Sequence, residues 1–203
     1  MGTGLRPTAA FAGATLDIET VPSGASYGRV YFARHPDPLG YGKTPSRFSD
    51  PRRRIEENRF GVLYLGETLK VCFLEAVLRD RRNGEIGDFP IDEIELKARL
   101  SATIRPTREL RLIDLRDDGP LRMGIPTDVV RAADQTLARA WSVAIYDHPE
   151  AVDGILYPSR LNNQHNLAIY DRAVPALRCG SVAPLMRKSG FAAVLNDLHV
   201  ALV

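Results

Sequence analysis

Short strand-like runs outnumber helical ones in this chain, and the two kinds do not alternate. Residues 27–33 (Y-G-R-V-Y-F-A) and 60–65 (F-G-V-L-Y-L) read as strands, the second a short buried one. Ile94, Leu96, Ala98, Leu100 and Ala102 alternate with polar residues, which is the period of a half-buried strand. Residues 110–115, 154–158 and 167–170 add three more, and the tail ends in a β-like H-V-A-L-V. Only three helical patterns occur. One runs from Thr68, a plausible N-cap, through Leu69, Cys72, Phe73, Ala76 and Val77 to Arg82-Asn83-Gly84. A long one opens at Thr127 and carries Val130, Ala133, Leu137, Ala140, Trp141 and Ala144 on one face, and a short one covers 191–195. Six or seven strands with three irregularly placed helices predict an α+β fold rather than a doubly wound parallel sheet.

The bulk properties exclude several function classes. At 203 residues, 44% apolar and 26% charged, the chain suits one ordered domain. Residues 1–25, rich in Gly, Ala, Thr and Pro, read as an arm or short helix before a domain spanning 26–203. The net charge of +2 is too small to make nucleic acid the main partner. The basic runs R-R-R-I-E-E-N-R and R-D-R-R are diluted by acidic neighbours and read as solvated faces. No apolar run is long enough to span a membrane, and the first residues lack the apolar core of a secretory signal. Cys72 reads as a buried thiol and Cys179 has no C-x-x-C partner, so a reducing cytoplasm is expected.

Familiar catalytic patterns are missing: no G-x-S-x-G, no phosphate-binding G-x-x-x-x-G-K, no H-E-x-x-H and no G-x-G-x-x-G. The histidines at 35, 148, 165 and 199 are scattered, so no metal site is expected. Glu75 stands out instead, in V-C-F-L-E-A-V-L, where its neighbours are apolar nearly all round. A carboxylate buried there without partners would cost several kcal/mol, roughly, or take up a proton, so it needs an ion-pair or functional reason. Arg29 interrupts an apolar strand, Arg47 lies among turn residues in P-S-R-F-S-D-P, and Tyr64 sits in the buried strand. Each, taken alone, reads as structural. The loop that follows Pro158, S-R-L-N-N-Q-H-N, joins two strands and contains Ser159 and Asn166; it is either a hairpin loop or a ligand loop on a rigid scaffold.

Taken together these pieces resemble the RES domain family across residues 27–195. Four motifs carry the resemblance in the family's order: G-R-V-Y-F with Arg29; S-R-F-S-D-P with Arg47; G-V-L-Y-L-G-E-T-L-K-V-C-F-L-E-A-V with Tyr64 and Glu75; and D-G-I-L-Y-P-S-R with Ser159, followed by N-L-A-I-Y-D. Arg29 is preferred to Arg34 as the first arginine because it follows the aromatic strand start. The segment around Arg47, T-P-S-R-F-S, departs from the family's more usual G-G-R-W or N-A-R-F.

The resemblance implies an ADP-ribosyltransferase-like split β-sheet whose cleft binds NAD⁺ as a substrate, with no cofactor and no metal. It implies a cytoplasmic toxin that destroys NAD⁺ at the nicotinamide–ribose bond, or alternatively a protein ADP-ribosyltransferase. It also implies an Xre-like antitoxin that covers the cleft and alone contacts DNA. A homodimer is expected from an apolar face on the Trp141 helix. Glu75 would stabilise the sugar cation, Arg29 and Arg47 would take the phosphates, Tyr64 would stack on nicotinamide or ribose, and Ser159 and Asn166 would bind the substrate.

Overall fold

The structure, a computed structural model, describes residues 5–52, 55, 58–79, 81, 84 and 86–203. Its main sheet contains β1 (Ile18–Val21), β2 (Tyr27–Phe32), β3 (Val62–Gly66), β5 (Arg99–Pro106), β6 (Leu110–Asp114), β7 (Gly154–Pro158), β8 (His165–Tyr170) and β9 (Leu177–Pro184). The order is β1-β6-β7-β8-β3-β2-β5-β9, and a separate pair joins β4 (Phe89–Ile91) to β10 (Val200–Leu202). Within the large sheet only β6 and β7 run parallel. Parallel neighbours need a long crossover, and here it holds three helices: α3 (Gly119–Arg122), α4 (Asp128–Arg131) and α5 (Thr136–Tyr146). The fold is α+β.

Alternation along β3 explains why its sequence is apolar throughout. Val62 and Tyr64 pack into a core with Phe48, Trp141, Ile145 and Tyr170, whereas Leu63 and Leu65 pack into another with Leu112, Leu167 and Ile169. Both faces are covered, so neither is polar.

The sheet is pinched at one joint. β3 pairs with β8 over five residues, and β2 with β5 over six, but β2 meets β3 only at Gly28 opposite Gly66. Beyond that point the half-sheets β1-β6-β7-β8-β3 and β2-β5-β9 diverge, giving the split sheet of an ADP-ribosyltransferase-like fold. Helix α1 (Leu69–Phe73) sits against the joint. A Cβ on Gly28 would lie 2.9 Å from the Cys72 sulfur, and one on Gly66 would lie 2.7 Å from both that sulfur and Val71 Cγ1. The two glycines are what let the helix close on the split.

Several elements differ from the sequence reading. The alternation from Ile94 begins in a helix, α2 (Glu93–Lys97), because the Asp92 carboxylate accepts the Ile94 amide at 2.7 Å and Lys97 bonds Glu93 one turn back. Only from Arg99 does the chain extend, and Ile94 itself is exposed. The long helix from Thr127 is broken into α4 and α5. Ala132 is extended, and the Asp134 carboxylate accepts the Thr136 amide at 2.8 Å where the helix restarts. The Trp141 face is not free for a dimer: Trp141 is buried, with Phe11 edge-on at 5.0 Å. Within residues 1–25, read as an arm or short helix, the described part contains a short 3-10 helix (Ala9–Gly13) and also the edge strand β1. Strands β4 and β9 were not foreseen. Part of each basic run, and Arg82 and Asn83 at the expected helix end, lie outside the described residues. Among the described residues no helix is long and apolar enough to cross a membrane.

Replacing Gly66 by alanine forces a methyl group into Cys72 and Val71. We expect a loss of about 1–3 kcal/mol in urea unfolding, with no such loss for alanine at Gly13, around which the structure is open.

Candidate active site

Past the glycine joint the diverging half-sheets leave a cavity of about 380 Å³, a volume suited to a small-molecule ligand. Among the described residues its charged lining consists of Arg29, Arg47, Arg79 and Arg160 and the carboxylate of Glu75.

Glu75 reaches the cavity through an irregular helix. Thr68 caps α1 by accepting the Val71 amide at 3.1 Å, and its own hydroxyl donates to Gln164 Oε1 at 2.7 Å, tying the helix start to the loop before β8. After Phe73 the helix widens into a π-turn, Leu74–Leu78, in which the Arg79 amide bonds the Leu74 carbonyl at 2.7 Å. Such wide turns concentrate at functional sites. Glu75 is half-buried there. Its Oε1 accepts from Ser159 Oγ at 2.8 Å and from Asn166 Nδ2 at 3.1 Å. Both donors are buried, Ser159 completely.

The structure therefore places the expected residues in distinct positions. Arg29, Arg47, Tyr64, Glu75 and Asn166 line the cavity. Ser159 does not: it stands behind the carboxylate, donating to Glu75 and accepting the Leu161 amide at 3.1 Å, so its contact is with Glu75 rather than with a ligand. Arg34 also lies elsewhere, with its guanidinium over the Phe32 ring on the surface.

The two expected arginines work as clamps. Arg29 donates to the carbonyls of Pro38 and Gly40 at 2.6 and 2.7 Å, which holds the Pro- and Gly-rich loop after β2. Arg47 donates to the carbonyls of Ala132 at 3.0 Å and Val129 at 3.3 Å, groups released from helical pairing by the break between α4 and α5. Burial draws both guanidinium pKa values below the ordinary arginine range. The Tyr64 hydroxyl accepts the Phe48 amide at 2.9 Å and lies 3.0 Å from Ser46 Oγ, pinning the Arg47 loop, and burial raises its pKa. Phe48 is buried and meets the Tyr157 ring edge-on at 4.9 Å.

Sequence reasoning gave no role to Tyr157, Gln135, Arg79 or Arg160, all of which line the cavity. Arg160 ends the L-Y-P-S-R run, directly after Ser159. Arg79 was hidden in a charge run. Among the described residues no group of three or more His, Cys, Asp or Glu side chains could hold a metal ion.

The model of the RES domain matches residues 23–187. The chain belongs to the RES domain family. It is 43% identical over 127 residues to the probable toxin y4kH of Sinorhizobium fredii (strain NBRC 101917 / NGR234), covering 62% of this chain and all of that one. A chain in the crystal structure of the M. tuberculosis MbcT–MbcA toxin–antitoxin complex superposes with a TM-score of 0.62 at 19% identity, over 89% of this chain and 91% of that one. The RES domain thus shares its overall fold with a solved structure of low sequence identity.

Within this RES domain burial pushes the Cys72 thiol up to about 12, so it stays protonated and unreactive at neutral pH. Cys179 is only half-buried. A thiol-reactive dye at pH 8 is expected to label one cysteine in the folded protein, Cys179, and both in guanidinium; rapid labelling of folded Cys72 would contradict this packing.

Proposed function

We propose that this RES domain cleaves NAD⁺ at the nicotinamide–ribose bond, and that it is the toxin of a toxin–antitoxin pair. One observation carries the reading: a carboxylate held by two buried donors in a cavity where, among the described residues, the other charged side chains are arginines. Family membership, the probable-toxin relative and the shared fold support it.

The chemistry needs little else. Nicotinamide in NAD⁺ is a cationic leaving group. When the C1′–N bond breaks, its electron pair stays on nitrogen and nicotinamide departs neutral, so no strong general acid is required. The barrier is the positive charge that develops on the ribose, as in glycoside cleavage. A fixed carboxylate beside the sugar stabilises that charge more in the transition state than in the ground state. Glu75 takes this role. Ser159 and Asn166 hold one of its oxygens, so the carboxylate need not reorganise during reaction. Water or phosphate then attacks C1′, releasing a proton and giving ADP-ribose or its 1-phosphate. Arg29 and Arg47 supply fixed positive charge favouring the anionic substrate, and Tyr64 and Asn166 shape the pocket around the nicotinamide half.

In the cytoplasm such an enzyme needs restraint. An Xre-like antitoxin that covers the cleft would provide it, and would carry any contact with DNA. The Trp141 face supplies no basis for a homodimer.

The test is purified protein with NAD⁺. Nicotinamide and ADP-ribose, or its phosphate, are expected to accumulate, and Glu75→Gln should slow this roughly a hundredfold or more while circular dichroism is unchanged. Wild-type rates in the variant would sink the reading. Labelled protein bands from lysate with labelled NAD⁺, without free product, would make the enzyme a protein ADP-ribosyltransferase.

A further inference from the structure

We infer that Arg79 and Arg160, which line the cavity with Glu75, grip the substrate's diphosphate; this rests on the NAD⁺ reading of the cavity. The first observation is charge. Among the described residues four arginines and one carboxylate line the cavity, a balance that suits a ligand with more than one negative charge. The second is where the four stand in the fold. Arg29 and Arg47 give guanidinium hydrogens to the carbonyls of loops, whereas Arg79 gives its Nε–H to the carbonyl of Glu75 itself.

The other two arginines adjoin the groups that position Glu75. Arg160 directly follows Ser159, the donor to the carboxylate. Arg79 closes the π-turn that carries Glu75, and its Nε donates to the Glu75 carbonyl at 2.6 Å. Its charge also reaches the hydroxyls of Tyr64 and Tyr157 in the same cavity wall. In NAD⁺ the reacting C1′ and the diphosphate are joined through a single ribose, so a phosphate grip has to lie close beside the carboxylate rather than across the cleft. Arginine forks match paired phosphate oxygens.

The third observation is strain. Arg79 adopts φ 40° and ψ −120°, a conformation that suits glycine and penalises any residue with a Cβ. Glycine there would relax the backbone. An arginine kept at such a position needs a reason outside folding, and a phosphate contact at the cavity rim is one.

The experiment compares Arg79→Gly and Arg160→Ala with wild type on two substrates, NAD⁺ and nicotinamide riboside, which lacks phosphate. Each variant should raise KM for NAD⁺ roughly ten- to a hundredfold with a much smaller change in kcat, and cost at least about tenfold more in kcat/KM on NAD⁺ than on the riboside. Arg79→Lys should recover part of the loss. The Tm of Arg79→Gly should equal or exceed that of wild type. Equal losses on both substrates, or no loss on NAD⁺, would overturn the assignment. Calorimetry with ADP-ribose separates it from the catalytic reading. If wild type binds ADP-ribose and both variants bind it at least tenfold more weakly, the grip stands even where NAD⁺ is not cleaved. If variants and wild type bind alike, or wild type does not bind, the grip is refuted.

Discussion

The cavity depends on two hydrogen bonds to one carboxylate oxygen, from Ser159 and Asn166 to Glu75. An acidic side chain in an apolar helix would otherwise turn to water, take up a proton or destabilise the turn around it. The donors come from the loop after β7 and the first part of β8, while the acceptor comes from the π-turn after α1, so the carboxylate is correctly held only when these elements are docked. Two further contacts secure that docking. The Thr68 hydroxyl bonds Gln164, and the Glu67 amide bonds the His165 carbonyl at 3.0 Å. The site and this part of the fold form together.

Geometry around the split follows from the same demand. A sheet that stayed paired between β2 and β3 would leave no room for a ligand, and one that separated entirely would lose its core. A single Gly28–Gly66 contact keeps the halves joined while α1 approaches closely enough to deliver Glu75. The surrounding loops have few apolar residues with which to hold themselves. They are held by polar side chains: Arg29 on the carbonyls of Pro38 and Gly40, Arg47 on those freed between α4 and α5, and Tyr64 on the Phe48 amide. Regular secondary structure leaves no spare carbonyls in its interior. The break in the predicted long helix is therefore what gives Arg47 something to hold.

Strands covered on both faces were the most legible part of the sequence, because burial leaves little choice of residue; β3 and β7 are examples. The segment from Ile94 failed because alternation in a short stretch is compatible with one helical turn, and the Asp92 cap with its following glutamates decided for helix. Strand β9 was missed because most of its residues face solvent and carry no apolar period. At the site, Glu75 could be singled out because it violated its local pattern. Ser159 could be noticed, but not that it would act behind the carboxylate, since that depends on a contact across 84 positions of sequence. Arg79 gave no local signal at all. Its distinguishing feature is a backbone angle, and R-D-R-R looks the same whether or not one of its members is strained.

The arrangement of charge separates what serves the fold from what serves the cavity. Guanidinium groups gathered around one pocket repel each other, and burial makes the repulsion more costly. Arg29 and Arg47 offset this through main-chain hydrogen bonds that the loops require, so folding alone accounts for their retention. Removing either would leave part-buried carbonyls without these donors. Folding does not account for Arg79 in the same way. Its bond to the Glu75 carbonyl is bought with a backbone conformation that a glycine could occupy without strain, and its charge adds to the repulsion already present. Local stability therefore argues against an arginine at that position. Under the proposed NAD⁺ reading, an anion bound beside Glu75 would reverse the balance, because the excess positive charge would become the binding energy that positions the sugar over the carboxylate.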